Sequence, residues 1–153
     1  LSSSSAASDV YKRQEETWNE VSFLFEKKTL SIKDYFVEEQ RYAKEIAFLE
    51  EGCVRAYFSN SEGKEYNKQF FVGPSLIGAY TSLLTLEKNL IPQQALTECV
   101  IWVAEYSEVE KLFLKFHDFE RLGRKIAEFY FLEKEKKRIR NGFNGCWRTL
   151  FTF

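Results

Sequence analysis

Apolar and polar residues alternate with period two through the middle of the chain and recur every three or four positions towards its ends. Strands are therefore predicted in the middle and helices on either side. The clearest stretch runs from Glu51 to Tyr80, EGCVRAYFSNSEGKEYNKQFFVGPSLIGAY. In Val54–Phe58 the pattern puts Val54, Ala56 and Phe58 on one strand face and Arg55, Tyr57 and Ser59 on the other. Asn60-Ser61-Glu62-Gly63 is a short polar connection ending in glycine, which predicts a hairpin. Gly73-Pro74 ends the second strand, because proline cannot donate to a ladder, and the chain passes on to Ile77-Gly78.

The same reading extends along the chain. Trp18, Val21, Leu24 and Phe25 predict one face of a short amphipathic helix over 15–25. Short strands are expected at Leu30, Ile32 and Tyr35-Phe36-Val37 around a Lys33-Asp34 turn, followed by a charged, solvated stretch over 38–44. Ile46-Ala47-Phe48-Leu49 reads as a buried strand closed by Glu50-Glu51-Gly52. One or two helical turns over 81–86, a polar loop over 87–89, and strands over 93–96 and 100–104 follow. Many short strands at close spacing point to a sandwich or barrel. The period then changes. Ser107 and Glu110 form a capping-box pattern before Leu112 and Phe113, and a long helix is predicted from Asp118 towards Arg140. Leu122, Ile126, Phe129, Leu132 and Ile139 step along it, and Gly123 and Ala127 permit close approach of another helix. The stripe either packs on its own domain or forms a dimer seam, and its length favours the seam.

Composition narrows the picture. Hydrophobic residues make up 44% of the 153 and aromatics 17%, enough for a substantial core, so the middle of the chain is expected to be ordered. With 22 basic and 23 acidic residues the net charge is −1, which gives no global attraction for nucleic acid or an anionic membrane. No apolar run reaches the ~20 residues of a membrane span. Cys53, Cys99 and Cys146 are scattered, so neither a disulfide framework nor a zinc site is expected, and His117 is the sole histidine. Methionine is absent throughout, position 1 included, so the sequence is not expected to be a complete translated gene. Residues 1–14, rich in serine and alanine, read as a disordered or non-native leader outside the fold. The tail over 141–153 loses helical periodicity and is assigned no structure.

The order and spacing of EIAFLEEGCVRAYFSNSEGKEYNKQFFVGPSLIG, ALTECVIWVAEYSEVEKLF and FERLGRKIAEFYFLEKEKKRI resemble the sensor domain of the Crp/Fnr transcription regulators, over roughly 25–139. The resemblance implies a mainly β fold with flanking helices: a double-stranded β-helix, or jelly roll, over 15–106. A short helix and a long dimerisation helix follow over 107–140. It further implies a cytoplasmic homodimer whose DNA contacts belong to a helix-turn-helix. The chain stops about where that unit would begin, leaving a sensor and dimerisation fragment. The dimer helix residues are then Leu122, Gly123, Ile126, Phe129 and Leu132.

In cyclic-nucleotide binders of this fold a Gly-Glu pair holds the ribose and an Arg-Ser pair the phosphate. Gly78 matches the glycine, but Ala79 and Tyr80 stand where the acid belongs, and Asn89-Leu90-Ile91-Pro92-Gln93-Gln94 contains neither arginine nor serine. Lys88 is the one nearby cation and lacks the bidentate geometry of a guanidinium. Cyclic AMP is therefore not the expected effector. Iron–sulfur sensing would need about four cysteine ligands, and a haem sensor an axial ligand within the domain. No cofactor is expected. An altered pocket for a small molecule of unknown identity would be lined by Phe70, Ile77, Gly78, Tyr80, Leu83 and Gln93, with polar contacts from Tyr80 and Gln93. The alternative is that these residues only fill the sandwich. Nothing assembles a nucleophile with its base, so an enzyme is not expected. The rival to a regulator is a stand-alone jelly-roll binding module without DNA binding.

Overall fold

The structure, a computed structural model, describes residues 3–150, with side chains at 12 and over 14–139. Helix α1 (Ser3–Leu24) precedes eight strands: β1 (Glu26–Leu30), β2 (Tyr35–Val37), β3 (Glu45–Glu51), β4 (Cys53–Ser59), β5 (Glu65–Val72), β6 (Ser75–Ile77), β7 (Gln93–Ala95) and β8 (Cys99–Glu105). Helix α2 (Tyr80–Thr85) lies between β6 and β7, and α3 (Tyr106–Lys115) and α4 (His117–Leu150) follow β8. The strands form two four-stranded antiparallel sheets, ordered β1-β8-β3-β6 and β2-β7-β4-β5. This is the expected jelly roll with a long C-terminal helix. By compactness the chain divides into two units, Leu1–Lys111 and Leu112–Phe153.

The core of the first unit follows from alternation. In β8, Cys99, Ile101 and Val103 are buried, whereas Val100 and Trp102 are only partly so. They join Ala47, Leu49, Val54, Ile77 and Ala95 in one cluster, with Leu30, Phe36 and Phe71 packed on it. Strand β3 is not buried on both faces as expected: Phe48 is exposed, because it points outward beside Trp102 and Leu76. At the tight turn into β4, Gly52 has φ +105, and a Cβ there would stand 2.6 Å from both Cys99 Sγ and the Glu98 carbonyl oxygen.

The β4–β5 hairpin forms around Asn60, whose Oδ1 accepts from the backbone of Glu62 (3.1 Å) and Lys64 (2.8 Å). Near the turn Ser59, Phe58 and Tyr57 face Glu65, Tyr66 and Asn67; further on Ala56, Arg55 and Val54 face Gln69, Phe70 and Phe71. Lys68 is the extra residue of a bulge, and beyond it every β5 side chain changes face relative to β4. The outward face of this sheet carries a polar network. Arg55 donates through Nε (3.1 Å) and an Nη (2.8 Å) to Gln94 Oε1, and through its other Nη to Glu65 (2.8 Å). Its guanidinium lies 4.1 Å from the centre of the Tyr57 ring, and the Tyr57 and Tyr35 hydroxyls are 2.9 Å apart. Tyr57 is buried although it points outward, because Arg55 and Tyr35 cover it.

Burial, then the Tyr35 hydroxyl, pushes the Tyr57 phenol up to about 12 from an ordinary 10. Above pH ~10 the unfolded chain releases this proton while the folded chain keeps it, so the contribution to stability is complete below pH ~10 and lost as pH rises towards 12. Tyr57→Phe is expected to flatten the fall in stability between pH 10 and 12, measured by urea unfolding across that range.

At the ends of the chain, α1 begins at Ser3 and so passes through the stretch expected to lie outside the fold. Thr17 and Val21, one turn apart, are its buried pair; Trp18, expected on that face, is exposed. Helix α3 starts at Tyr106, and the Ser107 hydroxyl donates to Glu105 (3.0 Å), so the expected capping box is replaced by this contact. In the second unit α4 extends to Leu150, through most of the tail that had been assigned no structure; 151–153 and the Cys146 side chain lie outside what is described.

Candidate functional site

The segment from β6 to β7 contains most of the predicted pocket residues. Strand β6 ends at Ile77, which is buried in the core cluster. Gly78 follows with φ +155, a conformation that L side chains rarely adopt, and it sets the chain into α2. A Cβ here would meet Ile46 at an ordinary 3.5 Å, so the requirement is conformational rather than steric. Leu83 faces inward from α2, and Gln93 faces inward from β7, opposite Ala56. Gln93 Nε2 donates to the Gly78 carbonyl (2.9 Å), joining the two ends of the segment.

Two predicted residues lie elsewhere. Phe70 is 54% exposed, on the outward face with its cross-strand partner Arg55. Without the bulge it would stand opposite Val54 and point inward; Lys68 moves Phe71 into that place. Tyr80 is half exposed, and its ring meets Tyr106 edge-on at 5.9 Å between centroids. Burial, then a hydrogen bond with Tyr80, raises the Tyr106 phenol above its ordinary range.

The loop after α2 is closed by polar residues that alternation could not reveal. Asn89, expected in a solvated loop, is 6% exposed. Its Nδ2 donates to the carbonyls of Glu38 (3.1 Å) and Ile91 (2.8 Å), and its Oδ1 accepts from Ile91 N (3.2 Å). Its backbone pairs with Gln40 and Arg41. The buried Ser82 hydroxyl accepts from Ala43 N (3.1 Å) and donates to the Glu87 carbonyl. A short polar loop carries no sequence signal for this; only contact with 38–43 distinguishes it from a solvated turn.

The electrostatics are equally plain. Over 77–95 the charged residues are Glu87 and Lys88, both exposed. Nothing there offers a guanidinium or a buried ammonium to an anion, which must be neutralised or hydrogen-bonded when desolvated. The described residues contain no group of three or more His, Cys, Asp or Glu side chains able to hold a metal ion. Among them no helix is long and apolar enough to cross a membrane. Gln93 Oε1 is buried and no protein donor reaches it, a position that costs roughly 1–3 kcal/mol when left unpaired.

Two surface hollows contain none of the predicted pocket residues. One, of about 460 Å³, is lined by 35–38, 41–45 and Glu105. The other, of about 260 Å³, is lined by His117, Glu120, Arg121 and Arg124, all on α4, where His117 Nδ1 lies 3.2 Å from Glu120 and Arg124 pairs with Glu128.

The predicted dimer residues are all on α4. Leu122, Phe129 and Leu132 are 46%, 59% and 57% exposed, and Ile126 is half-buried. Gly123 has a partner within its own unit: a Cβ there would stand 2.8 Å from the Phe113 ring, which also packs on Phe119 (4.9 Å). The glycine therefore gives the Phe113 ring room to lie against α4.

No family model and no curated protein matches the chain. Solved structures do. The catabolite activator protein of Thermus thermophilus superposes with a TM-score of 0.67 at 12% identity, covering 84% of this chain and 60% of its own. The c-di-GMP-responsive global regulator CLP of Xanthomonas campestris gives 0.65 at 13%, covering 91% and 66%. A CooA variant from Carboxydothermus hydrogenoformans gives 0.63 at 17%, covering 84% and 79%. These are Crp/Fnr regulators, and the chain has the cyclic-nucleotide-binding-domain fold of their sensor parts. It spans about 60% of the length of the catabolite activator protein.

Proposed function

We propose that this chain is the sensor and dimerisation part of a Crp/Fnr-like transcription regulator that does not respond to cyclic AMP. It acts in the cytoplasm as a homodimer and reaches DNA through a helix-turn-helix unit of the same protein. Its effector is a small molecule held between Ile77, Gly78, Leu83 and Gln93. One observation carries the reading: Gly78 stands with φ +155 before α2, while Ala79 and Tyr80 follow it in place of an acid and the stretch over 89–94 holds neither arginine nor serine. The loop that would wrap the phosphate is instead closed by its own Asn89. A fold outlives its site, and CLP, described as responsive to c-di-GMP, is a relative in shape that answers to another ligand.

Titration calorimetry with cyclic AMP is the test. No saturable heat is expected up to millimolar nucleotide. A one-to-one isotherm with a micromolar Kd would overturn the reading.

A further inference from the structure

The inward-facing rows of the β1-β8-β3-β6 sheet end in acids. Along β3 the row runs Leu49, Ala47, Glu45, and along β8 it runs Ile101, Val103, Glu105. Ala47 and Val103 are buried cross-strand partners, and Glu45 and Glu105 are the next pair on the same face, both exposed. Like charges directly opposite each other destabilise a sheet, and packing gives no reason for them here. Glu45 shares Lys28 (3.5 Å) with Glu26 (3.6 Å). Glu105 accepts from the neutral Ser107 hydroxyl and pairs with no cation among the described residues.

Both acids line the hollow of about 460 Å³, and the opposite sign lines it too. Arg41 hydrogen-bonds Glu38 through Nε at 3.4 Å, which leaves both Nη groups without a hydrogen bond among the described residues. Lys44 makes no ion pair there. A guanidinium with its Nη groups free presents the planar fork that grips a carboxylate. The rings of Tyr35 and Tyr42, 41% and 59% exposed, supply an aromatic wall. A simple anion would face Glu45 and Glu105, and a simple cation Arg41 and Lys44, whereas a molecule carrying both charges satisfies both. We propose that this hollow binds a small aromatic zwitterion of amino-acid size. Its carboxylate lies on Arg41 and Lys44, its ammonium on Glu45 and Glu105, and its ring against Tyr35 and Tyr42. The hollow contains none of Ile77, Gly78, Leu83 and Gln93, so the proposal stands independently of the effector site.

L-Phenylalanine is the probe, with two analogues that each lack one charge: phenylalaninamide, without the carboxylate, and N-acetyl-phenylalanine, without the ammonium. Dissociation constants are measured by NMR titration on the 153-residue chain and on Arg41→Gln and Glu105→Gln, both at exposed positions. L-Phenylalanine is expected to bind saturably at millimolar concentration, and each analogue about 10-fold or more weakly, as for the loss of one charged hydrogen bond. Arg41→Gln is expected to weaken L-phenylalanine by a similar factor and to leave phenylalaninamide unchanged. Glu105→Gln is expected to weaken both and to leave N-acetyl-phenylalanine unchanged. This crossed pattern assigns each charge to its partner, and a general loss of structure does not reproduce it. No saturable binding of L-phenylalanine, equal affinities for the three compounds, or variants that act alike on all three would overturn the inference and leave the proposed function standing.

Discussion

Phe129→Asp is expected to halve the mass of the protein in solution, from twice 18.1 kDa to 18.1 kDa, as measured by light scattering at tens of micromolar. Along α4, Leu122, Ile126 and Phe129 fall within one narrow stripe, since steps of four and three residues return to the same face. Phe129 is 59% exposed, so folding of the single chain does not depend on it. Burying such a ring at a two-fold seam contributes the ~2–4 kcal/mol typical of interface hot spots, and an aspartate there is set against its own copy in a desolvated contact. The dissociation constant should rise by about 100-fold or more, with the helical circular dichroism unchanged. A wild-type chain that is monomeric at high concentration, or a variant of undiminished mass, would remove the dimer from the proposed function.

Gly52→Val is expected to cost about 2–5 kcal/mol and lower the midpoint of thermal unfolding by about 5–15 °C, combining a strained backbone with an overfilled site. The φ of +105 disfavours any L side chain. Independently, the new Cβ would lie 2.6 Å from Cys99 Sγ and from the Glu98 carbonyl oxygen, and 2.9 Å from Cys99 Cα. Two of these three neighbours are backbone, so a rotamer change does not relieve the contact. Gly63 provides the control: its φ is +78, but nothing stands within 4 Å of its Cβ position. Gly63→Val therefore carries the strain alone, about 1–2 kcal/mol. Equal losses at the two sites would show that the crossing at Cys99 adapts, and would refute the steric part of the argument.

Much of the β scaffold was legible because half-buried strands print their faces onto the sequence. Alternation in β8 and the Asn60–Gly63 turn were enough to place the sandwich and its hairpin. Where the reading slipped, the cause is local. The Lys68 bulge exchanged Phe70 for Phe71, and a single inserted residue leaves no mark when both candidates are phenylalanine. On α1 the apolar spacing placed Val21 rightly, but Thr17 rather than Trp18 is buried beside it. Asn89 and Ser82 escaped notice because their partners lie about forty to fifty residues away in sequence, on 38–43. The Gly78–Gln93 contact was half visible: both residues were expected at the pocket, but not that one would bond the other.

The Asn89 closure also bears on how this loop can open. Removing the Asn89 side chain would leave the Glu38 carbonyl and both backbone groups of Ile91 without this partner. The Ile91 amide and carbonyl both serve Asn89, and the Pro92 carbonyl accepts from Tyr57 N (3.3 Å) on the neighbouring strand. Both side chains sit among protein contacts, with Pro92 buried. One amide side chain thus works as a clasp, fastening the loop to itself and to the 38–41 stretch, and the loop opens only where that clasp is undone.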